Sequence, residues 1–359
     1  MKRLVLIGGG HANLGVIRRL GRERPEQVRC ILISADDFQY YSGMFSGYSE
    51  GLYNKEELRI DLADFCRRNG ADFICAKAEF IDRHARQVMT TSGPAAYDFV
   101  SINTGSLVKT EVPGASRYSL SVKPSYIFPD AVQRLREAAN PVIAGGGAAG
   151  VELAFSLAAW RKSHGYYGQG VTLLTKGTVL GGHKSGARKV RDLMKKKQIR
   201  LLEHTGAEEV ADGSVVTGSG AVSYSELLWL TGPKAGDFAV NSALTSDRQG
   251  FLLVTDTLQA VNDPDVFGAG DCATMMSYPE LPKNGVYAVR QAGILYDNIL
   301  ARAKGKTLSR FRPQKRYLAI LSTGGKTGLC LYGKAALQGK WAWKLKSRID
   351  RKFMKTMRC

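Results

Sequence analysis

Short unbroken apolar runs alternate with glycine turns and helical stretches along this chain. LVLIGGGHANLGVIRRL, residues 4–20, reads as a buried strand, a turn and a helix. The same order returns in PVIAGGGAAGVELAFSLAAW, residues 141–160. Gly8 and Gly10 take the first two positions of G-x-G-x-x-G, with Asn13 at the third and His11 and Ala12 between. Gly145, Gly147 and Gly150 fill all three, with Ala148 and Ala149 between and Glu152 two residues on. Glycine suits these places because the chain turns sharply and its amides must approach a pyrophosphate at a helix N-terminus. The partner strand of the first turn ends at Ser34 and Ala35, with Asp36 and Asp37 beyond. That of the second, VTLLTKG, ends at Thr175–Lys176, where an acid would accept from a ribose 2′-hydroxyl. The lysine leaves open NADPH, or no tight nicotinamide site at all.

Three further elements follow the same grammar. LQAVNDPDVFGAGDCA, residues 258–273, is an apolar strand ending in Gly268-Ala269-Gly270-Asp271. YDFVSINTGS carries Thr104-Gly105, and SELLWLTGPKA carries Thr231-Gly232. LPKNGVYAVRQAGILYDNIL, residues 281–300, reads as a helix that opens near Asn284. The last helix falls in GKWAWKLKSRIDRKFMKTMRC, residues 339–359. At a helical pitch Trp341, Leu345, Ile349, Phe353 and Met357 share an arc of about 160°, with Ala342 inside it. Lys344, Arg348, Arg351, Lys355 and Arg358 crowd an arc of about 80° opposite, and Lys346 and Asp350 interrupt the boundary.

Composition places the chain among globular proteins of two or three domains: 359 residues, 44% hydrophobic and 23% charged. No run approaches the roughly 18 to 20 apolar residues that cross a bilayer, and Leu4–Ile7 is too short for a signal peptide. A cytoplasmic location is expected. The six cysteines contain no C-x-x-C pair, which argues against a disulfide scaffold or a zinc site, and no metal is expected. The net charge of +19 is concentrated at one end: from Arg302 onward seventeen Lys and Arg face one acid, Asp350.

The order of glycine turn, Thr-Gly, second turn, Thr-Gly and GAGD resembles the FAD- and NAD(P)-binding pyridine nucleotide-disulfide oxidoreductase superfamily. The resemblance implies an α/β fold of two Rossmann-like dinucleotide-binding domains. An FAD domain spans 1–121 and 245–310, an NAD(P)H domain is inserted at 122–244, and 311–359 form a basic C-terminal membrane-interface segment ending in an amphipathic helix. FAD contacts are implied for Gly8, Gly10, His11, Ala12, Asn13, Ser34, Ala35, Ser42, Thr104, Gly105, Gly270, Asp271, Asn284, Gly285 and Val286. NAD(P)H contacts are implied for Gly145, Gly147, Ala148, Ala149, Gly150, Glu152, Thr175, Lys176 and Gly232.

Within the superfamily, disulfide reductases need a cysteine pair, and single-thiol oxidases put a cysteine where this chain has Ser42. Type II NADH dehydrogenases need none, and their quinone-site helix is similar to 281–300. Gly285, Ala288 and Gln291 keep its spacing, while Val286 and Arg290 replace two glutamines. GGGHANL, YYSGMFSGY, KNGVYAVRQ, STGGKTGLCLYG and WAWKLKSRIDRKFM also resemble the flavoprotein module fused to selenide, water dikinase. The implied activity is hydride transfer from NAD(P)H to FAD and electron transfer to a quinone. A sulfide:quinone oxidoreductase, a soluble reductase of a small sulfur or selenium substrate, and a flavin-bound sensor module are the alternatives.

Glu152 and Lys283 are the expected catalytic residues. Tyr287, Arg290 and Gln291 are expected to touch the acceptor, with Tyr40 and Tyr41 as walls. Tryptophan beside a basic face suits an anionic membrane surface for residues 340–358, on the cytoplasmic side. Nucleic acid is not expected. The natural acceptor, the choice between NADH and NADPH, and the oligomeric state, a homodimer included, stay open.

Overall fold

The computed structural model describes residues 1–25, 28–166 and 170–358. Its architecture is a duplication. Strand β1 (Lys2–Ile7), the Gly8–Gly10 turn and helix α1 (His11–Glu23) are followed by β2 (Val28–Ser34), helix α2 (Phe45–Ser49), β3 (Asp72–Cys75) and β4 (Phe99–Ile102). β1 lies between β2 and β4, parallel to both, with Leu4 level with Cys30 and Phe99. The second unit repeats this with β5 (Pro141–Ala144), helix α3 (Ala148–Ser163), β6 (Thr172–Leu174), helix α4 (Lys184–Lys196), β7 (Arg200–Leu202) and β8 (Glu226–Trp229). The order β3-β2-β1-β4 in the first sheet is matched by β7-β6-β5-β8 in the second. Each unit also carries a three-stranded antiparallel meander before its last strand, over 78–96 and 207–223. The central strands β4 and β5 are buried along their whole length, whereas the edge strands β3 and β7 are partly exposed.

The chain then returns to the first sheet. β9 (Leu252–Val254), β10 (Gln259–Ala260), β11 (Asp263–Gly268) and β12 (Ala273–Met275) extend it to eight strands through the parallel pairing of β11 with β4. Helix α5 (Gly285–Ala303) crosses α1 closely: a Cβ on Gly15 would stand 2.6 Å from the methyl of Ala292. This crossing brings the N-termini of α1 and α5 toward one another. Arg136 and Arg161 are both buried, and both bind carbonyls. Arg136 donates to Tyr48 O and Ser49 O at the end of α2, and Arg161 to the carbonyls of Arg136 and Ala138. The two units are joined there through polar contacts.

The tail forms an antiparallel sheet of β13 (Ala319–Ser322), β14 (Gly328–Tyr332) and β15 (Ala335–Gly339), then helix α6 (Lys340–Arg358). The apolar row expected to form one surface is divided. Steps of four residues drift by about 40° each, so a row of five wraps from one side of a helix toward the other. Trp341 and Ile349 are each 47% exposed, while Met357 is buried at 5%. Phe353 is half-buried against the rest of the fold. The face turned inward comprises Ala342, Ser347, Asp350, Met354 and Met357, with the Lys346 side chain among them. Among the described residues no helix is long and apolar enough to cross a membrane.

Candidate functional site

The first glycine turn is braced by two asparagines. Asn13 is fully buried: its amide donates to the carbonyls of Ile7, Gly8 and Ser101 at 3.1, 2.9 and 3.3 Å, and its oxygen accepts from Ser101. It therefore replaces the third glycine with a strut, and its side chain faces the core and not a ligand. In the second turn Gly150 keeps the ordinary arrangement, since a Cβ there would overlap the carbonyl of Gly145. Asn103 holds the other side. Its oxygen accepts from Ala12 N (3.0 Å) and Asn13 N (3.3 Å), and its amide donates to Ala269 O (2.6 Å). One side chain thus links the turn, the end of β4 and the GAGD loop.

Opposite this turn stands the N-terminus of α5. Asn284 caps it by accepting from Val286 N and Tyr287 N, so its side chain is already engaged. A Cβ on Gly285 would be 3.8 Å from His11 Nε2, so the His11 ring lies between the two helix starts. Burial holds the His11 pKa below its ordinary value, with Asp271 pulling the other way. Asp271 faces Lys123 across 3.3 Å, and Lys123 also donates to Ser106 Oγ at 2.6 Å. Ala35, Ser42 and Thr104 are exposed along the same edge, with Ser34, Gly105 and Gly270 half-buried. Two helix N-termini, close-packed glycines and a carboxylate in one cleft fit a dinucleotide with a polyol chain.

A pocket of about 300 Å³, open to solvent, adjoins the GAGD loop and is lined by Asp271, Thr274, Met275, Lys283, Tyr287 and Gln291 among others. Gln291 is buried and accepts from Gly270 N at 2.7 Å, which fixes the loop. Tyr287 is buried edge-on to Tyr317, and Arg290 is exposed on another side of the helix. Lys283 donates to Ala273 O and to Thr274 Oγ1, and its ammonium sits 4.1 Å over the Phe251 ring. Burial lowers its pKa. It anchors the 276–284 loop to β12, a role that surface charge alone would not give it. Tyr40, at 4% exposure, belongs to the core.

In the second unit Gly147, Ala148 and Ala149 leave the N-terminus of α3 open, with no side-chain cap. Thr175 is buried at the end of β6, Lys176 projects into solvent and Gly232 is exposed beyond β8. Glu203 at the end of β7 is engaged by Arg191 (2.6 Å) and Val179 N (2.8 Å), so it offers no free acid.

One turn into α3 stands Glu152, and here the tail enters the site. Its carboxylate accepts from Ser322 N at 2.7 Å and lies 3.9 Å from Lys346 Nζ. Lys346 also pairs with Asp350 at 3.1 Å and donates to Gly43 O at 2.6 Å. Tyr41 donates to Asp350 at 3.0 Å. The Tyr41 ring stacks on Phe353 at 4.4 Å, and Phe353 on His11 at 5.3 Å, so this group reaches the first turn as well. Burial raises the Glu152 pKa and Lys346 opposes it. Burial likewise raises that of Asp350. Burial works against the Lys346 ammonium, yet Glu152 and Asp350 together carry its pKa above the ordinary value.

Compared with known proteins, residues 2–292 match the family model described as pyridine nucleotide-disulphide oxidoreductase. The chain belongs to that family. NADH dehydrogenase-like protein YutJ of Bacillus subtilis is 26% identical over 358 residues, 97% of this chain and 98% of that one. A type II NADH:quinone oxidoreductase of Staphylococcus epidermidis is 22% identical over 97% of this chain and 94% of its own. Among solved structures, the sulfide:quinone oxidoreductase of Aquifex aeolicus superposes with a TM-score of 0.86 at 20% identity, covering 100% of this chain and 92% of that chain. At that identity the likeness speaks for the fold.

Among the described residues the five cysteines are free, and the one beside GAGD, Cys272, donates to Ile102 O and Ala269 O with its pKa raised by burial. Residue patterns did not single out Lys346, Asp350, Asn103 or Lys123 for the site. For the first two a signal existed: they interrupt the two faces of the tail helix four residues apart, and Asp350 is the lone acid among the tail's bases. Asn103 and Lys123 lie beside Thr104-Gly105 and the inter-unit crossing, but nothing local marks their partners.

Proposed function

We propose that this chain is an FAD-dependent NAD(P)H dehydrogenase that delivers electrons to a quinone, in the manner of its type II NADH:quinone oxidoreductase relatives. The observation that carries the reading is the Glu152–Lys346–Asp350–Tyr41 group. It sets proton-bearing side chains, and no thiol pair, between the two glycine turns. FAD supplies a carrier that accepts two electrons as hydride and returns them to an acceptor.

The residues of the chain do the rest. In the unit formed by 1–121 and 245–310, the α1 turn holds the FAD pyrophosphate and Asp271 its polyol chain. The α5 N-terminus offsets negative charge that develops beside it. In the inserted unit, 122–244, the open N-terminus of α3 holds the NAD(P)H pyrophosphate, and Lys176, with no competing acid, accepts NADPH as well as NADH. Glu152 orients the nicotinamide, and Tyr41 with Tyr287 lines the way to the quinone. Anaerobic reduction by NAD(P)H followed by reoxidation with a short-chain quinone tests the reading.

The reading includes a peripheral seat on the cytoplasmic face of the membrane, through the outward half of α6. Trp341 and Ile349 are exposed apolar side chains, with Leu345 half-buried between them and Lys344, Arg348, Lys352 and Lys355 exposed around them. Deleting the helix would also remove Lys346, so point changes are the cleaner test. Trp341→Ser with Ile349→Ser is expected to lower binding to phosphatidylglycerol vesicles about tenfold, from the roughly 25 cal/mol per Å² lost on two apolar contacts, and to leave NAD(P)H reduction intact. Unchanged sedimentation with vesicles would remove the membrane role from this face.

A further inference from the structure

Reducing a quinone to a quinol takes two electrons and two protons, and the hydride of NAD(P)H carries two electrons but one proton. One proton per turnover must therefore come from solvent. Glu152 is closed off on one side by Lys346, Asp350 and Tyr41. On its other side runs a polar seam through otherwise apolar packing.

Helices α2 and α3 lie side by side there. The Ser46 hydroxyl faces the Glu152 carboxyl without closing a hydrogen bond of normal geometry. Just beyond the end of α2, a Cβ on Gly51 would sit 3.1 Å from the Trp160 ring. Ser46 and Glu50 are one turn apart on α2 and its cap, as are Glu152 and Ser156 on α3. β13 closes the seam: Ser322 N bonds Glu152, and a Cβ on Gly324 would press on Phe155 O at 2.7 Å. Among the described residues eight buried side-chain polar atoms have no hydrogen-bond partner, and four of them belong to these residues: Ser46 Oγ, Ser156 Oγ, Ser322 Oγ and Glu50 Oε2. Each such oxygen costs about 1–3 kcal/mol when left dry. Four on one seam is the arrangement that ordered water satisfies, since a water accepts and donates between hydroxyls.

The outer end reaches the surface. Glu50 Oε1 accepts from Gly325 N (2.7 Å) and Lys326 N (3.4 Å), both in exposed residues, and Lys197 donates to the adjoining Gly324 O at 3.3 Å. Burial raises the Glu50 pKa, opposed by those two amides and by Lys197 and Lys326. With one oxygen on the exposed backbone and the other buried beside the hydroxyls, this carboxyl stands between solvent and the seam.

Resting on the quinone-reductase reading, we propose that this seam is the proton entry of the enzyme: Glu50 collects a proton from solvent, and the Ser156, Ser322 and Ser46 hydroxyls with bridging water pass it to Glu152. Each transfer hands one O–H proton forward and receives one from behind, and the proton that leaves Glu152 ends on an oxygen of the reduced quinone, so no further oxidant or reductant is consumed.

The test uses the full-length, FAD-loaded protein in stopped flow. The hydride step draws no proton from solvent and serves as the internal control. Glu50→Gln keeps the acceptor for Gly325 N but cannot exchange a proton. Its rate of quinol formation is expected to fall on the order of 100-fold, the low end of what a positioned proton donor contributes. The solvent deuterium isotope effect should rise, and added formate or imidazole should restore part of the rate, while bleaching by NAD(P)H keeps its speed. Ser156→Ala should show the same pattern more weakly, and it carries the test if Glu50→Gln does not fold. A structural role alone would move neither the isotope effect nor the chemical rescue. Quinol formation at the wild-type rate and isotope effect in both variants overturns the route and leaves the quinone reading standing. Wild-type protein that bleaches but never passes electrons to quinone overturns that reading, and the route with it.

Discussion

Lys346→Met is expected to cost about 3–5 kcal/mol at pH 8, because it strips the cation from two mostly buried carboxyls. The side chains of Lys346, Asp350 and Glu152 are 14%, 6% and 18% exposed, so little water can replace the lost partner. The loss depends on pH in a definite direction. Burial already raises the pKa of Glu152 and Asp350, and removing Lys346 raises both further. A carboxyl whose folded pKa lies above its unfolded value favours the folded state below the unfolded pKa, and that advantage is lost as pH rises through the folded value. The variant should therefore melt close to wild type near pH 4, in the range of the ordinary carboxylate values, and fall progressively behind as pH rises toward 8. Thermal melts across that range decide it. An equal deficit at every pH would mean that Lys346 acts by packing alone and that the charged group is not coupled.

Gly10→Ala is expected to yield a protein without yellow colour. The backbone at Gly10 has φ −69°, which alanine accepts, so conformation is not the obstacle. Space is. The added methyl would overlap the Asn103 carboxamide and come within 2.5 Å of its carbonyl oxygen. Asn103 ties α1, β4 and the GAGD loop together, so displacing it disturbs three sides of the flavin cleft at once. Overpacking of this kind costs about 1–3 kcal/mol in addition to the lost site. Gly147→Ala in the second turn is the control, since its Cβ would meet no atom within 4 Å. It should keep its colour and its melting temperature. A yellow Gly10→Ala protein with a normal flavin spectrum would show that FAD does not sit on the first turn.

The parts of this molecule that are set by backbone chemistry were readable from residues. The two strand–turn–helix units, the GAGD loop and the α5 cap follow from local runs and glycine spacing. The two meanders were not, because their short alternating strands, such as Gln87–Thr90 and Ser214–Thr217, carry no more pattern than a loop does. Asn13 stands where the first motif would have its third glycine. Its compensation lies in the carbonyl of Ser101, far along the chain, and no local pattern can announce such a partner. The tail shows the same limit. Its periodicity correctly gave a helix, but which side faces the enzyme is decided by the Glu152 and Tyr41 waiting on the other elements, so a charged pair turned inward and a tryptophan outward.

The account's central claim is that electrons from NAD(P)H leave through bound FAD to a quinone. The direct test is one anaerobic titration of the purified protein followed at 450 nm. NADH or NADPH should bleach the flavin band stoichiometrically, and a short-chain ubiquinone or menaquinone analogue should restore it with one quinol formed per nucleotide oxidised. A band that neither nucleotide bleaches, or one that bleaches and returns only with oxygen, would contradict it.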